Sequence, residues 1–100
     1  MSGNNAGWDG SWLAAMQVIK SAQQVFKPGT RPPGELLPLV DPMVRLRRAM
    51  GAHSDTDARR YAAELVADTD LIEWACRQRD SREIHELGMT LAWLSKTLER

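Results

Sequence analysis

Few residues in this chain have the chemistry of a metal or catalytic site. Its histidines are His53 and His85, and its single cysteine is Cys76. His85 and Glu86 begin like the zinc-protease motif His-Glu-x-x-His, but Met89 stands where the second imidazole ligand is needed. Cys76 has no neighbouring base that would activate it, and no glycine-rich segment matches a phosphate-binding loop. The sequence therefore predicts no catalytic residue, no metal ligand and no cofactor.

Carboxylates are concentrated between residues 55 and 73, where six acids stand against Arg59 and Arg60. One interpretation is a patch that engages a basic surface of a partner, including a surface that normally holds nucleic acid. The alternative is a set of helix caps and a solvated helix face. The candidate partner-binding residues in this stretch are Glu64, Asp68, Asp70 and Glu73.

The charge balance limits the class of partner. The 100 residues carry no formal net charge at pH 7, which argues against a sequence-independent nucleic-acid binder. Residues 1–53 contain six bases and three acids, whereas residues 54–100 contain ten acids and seven bases. This split can steer a partner, or the two halves can simply attract each other. The single cysteine, the lack of a signal-peptide pattern and the lack of a membrane span lead us to expect a cytoplasmic protein.

Helices are the elements that must position these groups. The strongest pattern is a stripe of five apolar residues at spacings of three and four, which predicts a final helix: Ile84, Leu87, Leu91, Leu94 and Leu98. We predict an all-α fold, a single small bundle of four to five helices, with the others packed around this stripe.

Two helices are predicted in the first half of the chain. Ser11 as N-cap and the Pro28-Gly29 stop delimit a helix over residues 12–26. Asp41 as N-cap and Pro42 at the first position begin the next helix, which Gly51 ends. The predicted inward face of the first helix is Trp12, Ala15, Met16, Ile19, Ala22 and Phe26, with Val18 and Val25 on its flank.

The second half is predicted to hold three helices. The apolar register fails near residues 67–70, which predicts a break there followed by a short helix over residues 71–78. Asp70 and Glu73 have capping-box spacing for this short helix, and Asp80 and Glu83 have it for the final one.

The segments outside the helices are rich in glycine and proline. Residues 1–10 contain three glycines and no periodicity, which predicts a flexible N-terminal arm before a helical domain over residues 11–100. Trp8 in this arm is a candidate partner contact, because a large aromatic usually finds cover. Residues 27–40 form a Pro/Gly-rich connector within the domain, and its end is predicted to be a packed, irregular crossing.

Two further pairs are candidates for a partner surface. Arg45 and Arg48 point away from the predicted inward face of their helix. Met89 and Trp93 lie opposite the leucine stripe of the final helix. They form either an interface or, as the commoner arrangement, a minor core beneath another segment. A homodimer through the leucine stripe is an alternative, although the stripe spans only two heptads.

A helix-turn-helix over residues 58–79 is the main alternative function. Its joint lacks the usual glycine, and its second helix begins with acids that would face DNA phosphates. We therefore favour a non-enzymatic protein that binds a protein or ribonucleoprotein with a basic surface, over direct binding of nucleic acid. No membrane partner is expected.

From its glycine-rich start with Trp8 and Trp12 to the terminal leucine stripe, the whole chain resembles the small helical proteins of phages and mobile elements. Among these it is similar in length and pattern to the type I-F anti-CRISPR proteins. The resemblance implies an inhibitor that binds the crRNA-guided surveillance complex and blocks its engagement of target DNA, without catalysis. A helix-turn-helix transcriptional regulator remains the alternative.

Overall fold

Five α-helices and one 3₁₀ helix make up the part of the chain that the structure, a computed structural model, describes: residues 6–29 and 31–99, with side chains from Gly10 onwards. No strand occurs in these residues, so the predicted all-α fold is confirmed. The elements are α1 (Ala6–Val25), a 3₁₀ helix (Gly34–Leu39), α2 (Val40–Gly51), α3 (Asp55–Leu65), α4 (Thr69–Cys76) and α5 (Arg82–Leu98).

The leucine stripe of α5 forms the centre of the core, as predicted. Leu87, Leu91 and Leu94 are fully buried, and Ile84 and Leu98 are half-buried against the same core. α5 packs extensively against α1 and α4. α1 runs antiparallel to α5. Near the start of α1, Ser11 Oγ donates a hydrogen bond to Thr97 Oγ1 (2.8 Å) at the end of α5, and the other end of α1 lies beside Ile84 at the start of α5.

The other helices do not all surround α5. α2 packs mainly on α3 and on the 3₁₀ helix, and α3 touches α5 only lightly. The reason is that the connector does not cross the core irregularly. It folds into the 3₁₀ helix, which buries Leu36 and Leu39 and continues directly into α2. The predicted arrangement with every helix around the stripe is therefore correct for α1 and α4 but wrong for α2.

The first helix begins earlier and faces the core differently from the prediction. α1 starts at Ala6, so Ser11 is a buried residue within the helix and not its N-cap. Residues 1–5 of the predicted arm lie outside the described residues. Met16, predicted to face inward, is 41% exposed, whereas Val18 and Val25 are buried. The side that packs against the core is the one that carries small residues, and these allow close approach of the α5 backbone: Ser11, Ala14, Ala15 and Ala22.

The end of α2 uses a histidine where a glycine is usual. Gly51 is still helical, and His53 adopts the left-handed conformation (φ 57°). The amide of Ser54 donates to the Ala49 carbonyl (2.9 Å) and that of His53 donates to the Met50 carbonyl (3.1 Å). These are the two bonds of a Schellman motif. α2 therefore ends at Gly51, as predicted, but the left-handed residue that terminates it is His53 and not the glycine.

The predicted break at residues 67–70 is confirmed, because α3 ends at Leu65 and α4 begins at Thr69. The caps, however, differ from the predicted ones. Asp68 caps α4, its Oδ1 accepting a hydrogen bond from the Leu71 amide (3.1 Å), and Ser81 caps α5. Each predicted capping box was thus one or two residues out of place, in a stretch where several neighbouring residues can cap.

Gly88 sets how closely α4 approaches α5. It is buried, and a Cβ built on it would lie 2.6 Å from the Cys76 nitrogen and 2.8 Å from the Ala75 carbonyl carbon. These neighbours are backbone atoms of α4, which cannot rotate away as a side chain can. The two helices can therefore adopt this distance only with glycine at position 88.

We expect Gly88→Ala to destabilise the fold by about 1–3 kcal/mol, the usual cost of overpacking, despite the higher helix propensity of alanine. Gly10→Ala is the matched control. Gly10 lies in α1 with no described atom within 4 Å of an added Cβ, so this change should stabilise by up to about 1 kcal/mol. Urea unfolding of both variants checks this, and equal stability of the two would contradict the close packing at Gly88.

Leu91→Ala should cost about 2–5 kcal/mol, because it empties a fully buried site in the centre of the core. Leu13→Ala is the control, since Leu13 is 53% exposed and should lose little. Thermal and urea unfolding measure both. A loss below about 1 kcal/mol for Leu91→Ala would show that the stripe is not the core.

Candidate functional site

The four candidate acids lie around the joint between α3 and α4, and we call them the acidic surface: Glu64, Asp68, Asp70 and Glu73. Glu64 is in the last turn of α3, Asp68 caps α4, and the other two lie within α4. All four are exposed, as is residue 67 of the joint. The joint therefore faces solvent, and it places carboxylates on both sides of the break.

The charges of this surface are directed to solvent. None of the four acids lies within 4.0 Å of a cation among the described residues; an ion pair of α5, Arg82 with Glu86 (3.2 Å), lies elsewhere. Asp70 stands in the first turn of α4, where the helix dipole favours an anion. Asp68 differs from the others, because its cap bond to Leu71 ties it to the fold. The expectation that Asp70, and not Asp68, is the residue committed to capping is wrong.

Cys76 and His85 hold the far end of α4 to α5. The Nδ1 of His85 lies 2.7 Å from the Cys76 carbonyl oxygen, which can only accept, so Nδ1 carries the proton. His85 is therefore half-buried and hydrogen-bonded to the fold. Burial, and secondarily the charge of Glu73, raise the pKa of the Cys76 thiol. Cys76 thus stays protonated near neutral pH, where a thiol is a poor nucleophile.

Arg45 and Arg48 point outward, as predicted, and line an open cleft of about 420 Å³ between α2 and α3. Tyr61 forms part of its lining, and the guanidinium carbons of Arg45 and Arg60 lie 6.0 and 5.7 Å from the centre of its ring. These are cation–π distances. Asp57 also lines the cleft, so its charge is mixed. The position of Tyr61 between these arginines was not predicted from the sequence.

Met89 and Trp93 form an exposed apolar pair on α5, 53% and 41% exposed. The commoner expectation, a minor core over this face, is wrong for the described residues, and the pair remains an interface candidate. The side chain of Trp8, the other predicted aromatic contact, lies outside the described residues.

An apolar groove between α1 and α2 was not predicted at all. We call it the α1–α2 groove; its volume is about 390 Å³. Ala22 and Met43 are its buried residues, and it is lined by Ile19, Gln23, Phe26, Lys27, Pro28, Val40, Val44 and Arg47. The sequence contained a signal in the apolar residues Val40 and Val44, one turn apart on α2, but not their position beside α1.

The described residues contain no group of three or more His, Cys, Asp or Glu side chains that could hold a metal ion. In the same part of the chain, no helix has the length and apolar character needed to cross a membrane. Comparison with protein-family models, with curated protein sequences and with solved structures gave no match. The functional interpretation therefore depends on the surfaces themselves.

The raised pKa of Cys76 predicts slow alkylation. We expect the rate of its reaction with iodoacetamide to rise with pH only above the range in which a free thiol ionises. Glu73→Gln should move this profile to lower pH, because the carboxylate charge disfavours the thiolate. Glu64→Gln serves as the control and should leave the profile unchanged. Ionisation of Cys76 at or below the pH of a free thiol would contradict its burial.

Proposed function

We propose that this chain is a non-enzymatic inhibitor or adaptor that binds a basic surface of a protein or ribonucleoprotein through the acidic surface. The observation that carries the proposal is the cluster of four exposed carboxylates without an ion-pairing cation among the described residues. Exposed charges of one sign steer association with a surface of opposite sign and raise the association rate.

The class of partner that we propose is inferred from the ligands that basic protein surfaces bind. A protein surface rich in Lys and Arg commonly holds nucleic acid, and carboxylates presented on a compact helix pair compete for the same cations. In the finer form of the proposal, the partner is the crRNA-guided surveillance complex of a type I-F CRISPR system, and binding blocks target DNA. The support for this form is the resemblance in size and pattern to anti-CRISPR proteins.

The same acids disfavour the helix-turn-helix alternative. The exposed residues at the start of α4, which would be the recognition helix, include Asp70 and Glu73. These carboxylates would approach DNA phosphates and repel them. A mobility shift of duplex DNA that weakens steeply with salt would favour the regulator over the inhibitor.

Charge reversal tests the proposal, and we choose Glu64→Lys/Glu73→Lys because neither residue caps a helix. Association with the purified type I-F surveillance complex, measured by biolayer interferometry, should slow by about tenfold or more in this variant. In the unaltered protein, association should also slow as salt rises, since exposed charges are screened over about 8–10 Å at physiological ionic strength.

The control variant is Glu35→Lys/Glu99→Lys, which changes the net charge equally at two exposed acids outside the acidic surface. It should associate nearly as fast as the unaltered protein. A thermal melt verifies that both variants fold. If the unaltered protein does not bind the complex, a pull-down from bacterial lysate with the two variants tests the broader proposal. If both variants recover every captured protein equally, the four acids are a solvated helix face and not a binding surface.

A further inference from the structure

The α1–α2 groove arises because α1 and α2 are not a closely packed pair. Within the described chain α1 packs on α5, and α2 packs on α3 and the 3₁₀ helix. The space between them is open along one side. Each wall of the groove is one face of a helix, because its lining residues recur at spacings of three and four. One wall consists of residues 19, 22, 23 and 26 of α1 and the adjoining turn, and the other of residues 40, 43, 44 and 47 of α2.

The walls of the groove are apolar and accessible. Val40 and Val44 are 38% and 44% exposed, and Ile19 and Phe26 are half-buried on the opposite wall. Each wall extends over two helical turns, about 10 Å. Two parallel rows of this length match the i, i+3, i+4 and i+7 anchors that an amphipathic helix inserts into a hydrophobic groove.

The charged groups around the groove select the occupant. Arg47 is exposed in its lining, and no acid is among the lining residues. We propose that the α1–α2 groove docks an amphipathic helix of a partner protein whose apolar stripe is flanked by Asp or Glu. The apolar stripe fills the groove, and a flanking carboxylate lies near the Arg47 guanidinium.

A second copy of this chain fits the groove less well. The exposed apolar pair of α5, Met89 and Trp93, is flanked by Lys96 and by the Arg82–Glu86 ion pair, so it presents no acidic stripe. The inference is independent of the proposed function, because the groove and the acidic surface share no residue.

Two synthetic peptides of equal length provide the test. Both carry leucines at i, i+3, i+4 and i+7 of an alanine-based helix, flanked by glutamates in one peptide and by lysines in the other. We expect fluorescence anisotropy to show about tenfold tighter binding of the glutamate peptide at low salt, with the difference falling as salt rises. Bound peptide should shift the amide resonances of residues that line the groove. Arg47→Glu should reduce or reverse the preference between the peptides.

Val40→Gln/Val44→Gln should weaken binding of the glutamate peptide by about tenfold or more, because it removes two apolar contacts at exposed positions. Met89→Gln/Trp93→Gln is the matched control, an exposed apolar pair at the same spacing on α5 and outside the groove, and should bind the peptide normally. Thermal melts verify that both variants fold.

Several results would overturn the inference. One is failure of the glutamate peptide to bind at millimolar concentration, and another is equal binding of both peptides. A third is loss of binding in the control variant. Concentration-dependent dimerisation that Val40→Gln/Val44→Gln abolishes would assign the groove to a second copy. Binding of phosphatidylglycerol vesicles in place of the peptide would assign it to a lipid surface.

Discussion

The approach of α4 to α5 at Gly88 is the constraint on which the acidic surface depends. A helix of eight residues has little stability of its own, so its position is set by packing and by its ends. Gly88 lets the α4 backbone lie against α5, and His85 donates to the carbonyl of Cys76 near the α4 C-terminus. At the other end the Asp68 cap fixes where the helix starts. Together these contacts determine which way Asp70 and Glu73 project.

Structural features that depend on the spacing of apolar residues within one or two helical turns could be predicted from the sequence. The α5 stripe and the break before α4 are two such features, and the structure contains both. Features decided by competition between neighbouring residues could not be predicted to the residue. Asp68 and Asp70 are both good caps, and the structure uses Asp68 as the N-cap of α4. His53 likewise takes the left-handed position two residues after Gly51, because the bonds to Ala49 and Met50 form there.

Some parts of the candidate surfaces could likewise be predicted from the sequence and others could not. The acids could be identified as exposed because they are polar, clustered and close in sequence. The inward face of α1 could not, because hydrophobicity favours the larger Met16 while the close contact with α5 requires Ser11 and alanines. The α1–α2 groove exists because two successive α-helices, joined by the connector, do not pack closely on each other, and no periodicity within one helix predicts that.

The uneven charge distribution of the sequence now has a structural interpretation. If the basic and acidic halves simply attracted each other, ion pairs would join residues of the two halves. The four acids of the acidic surface form no ion pair among the described residues, and Arg82 and Glu86 belong to the same half. Arg47 of the basic half lines the apolar α1–α2 groove. The basic half thus contributes a cation to an apolar groove, whereas the acidic half presents a cluster of exposed carboxylates.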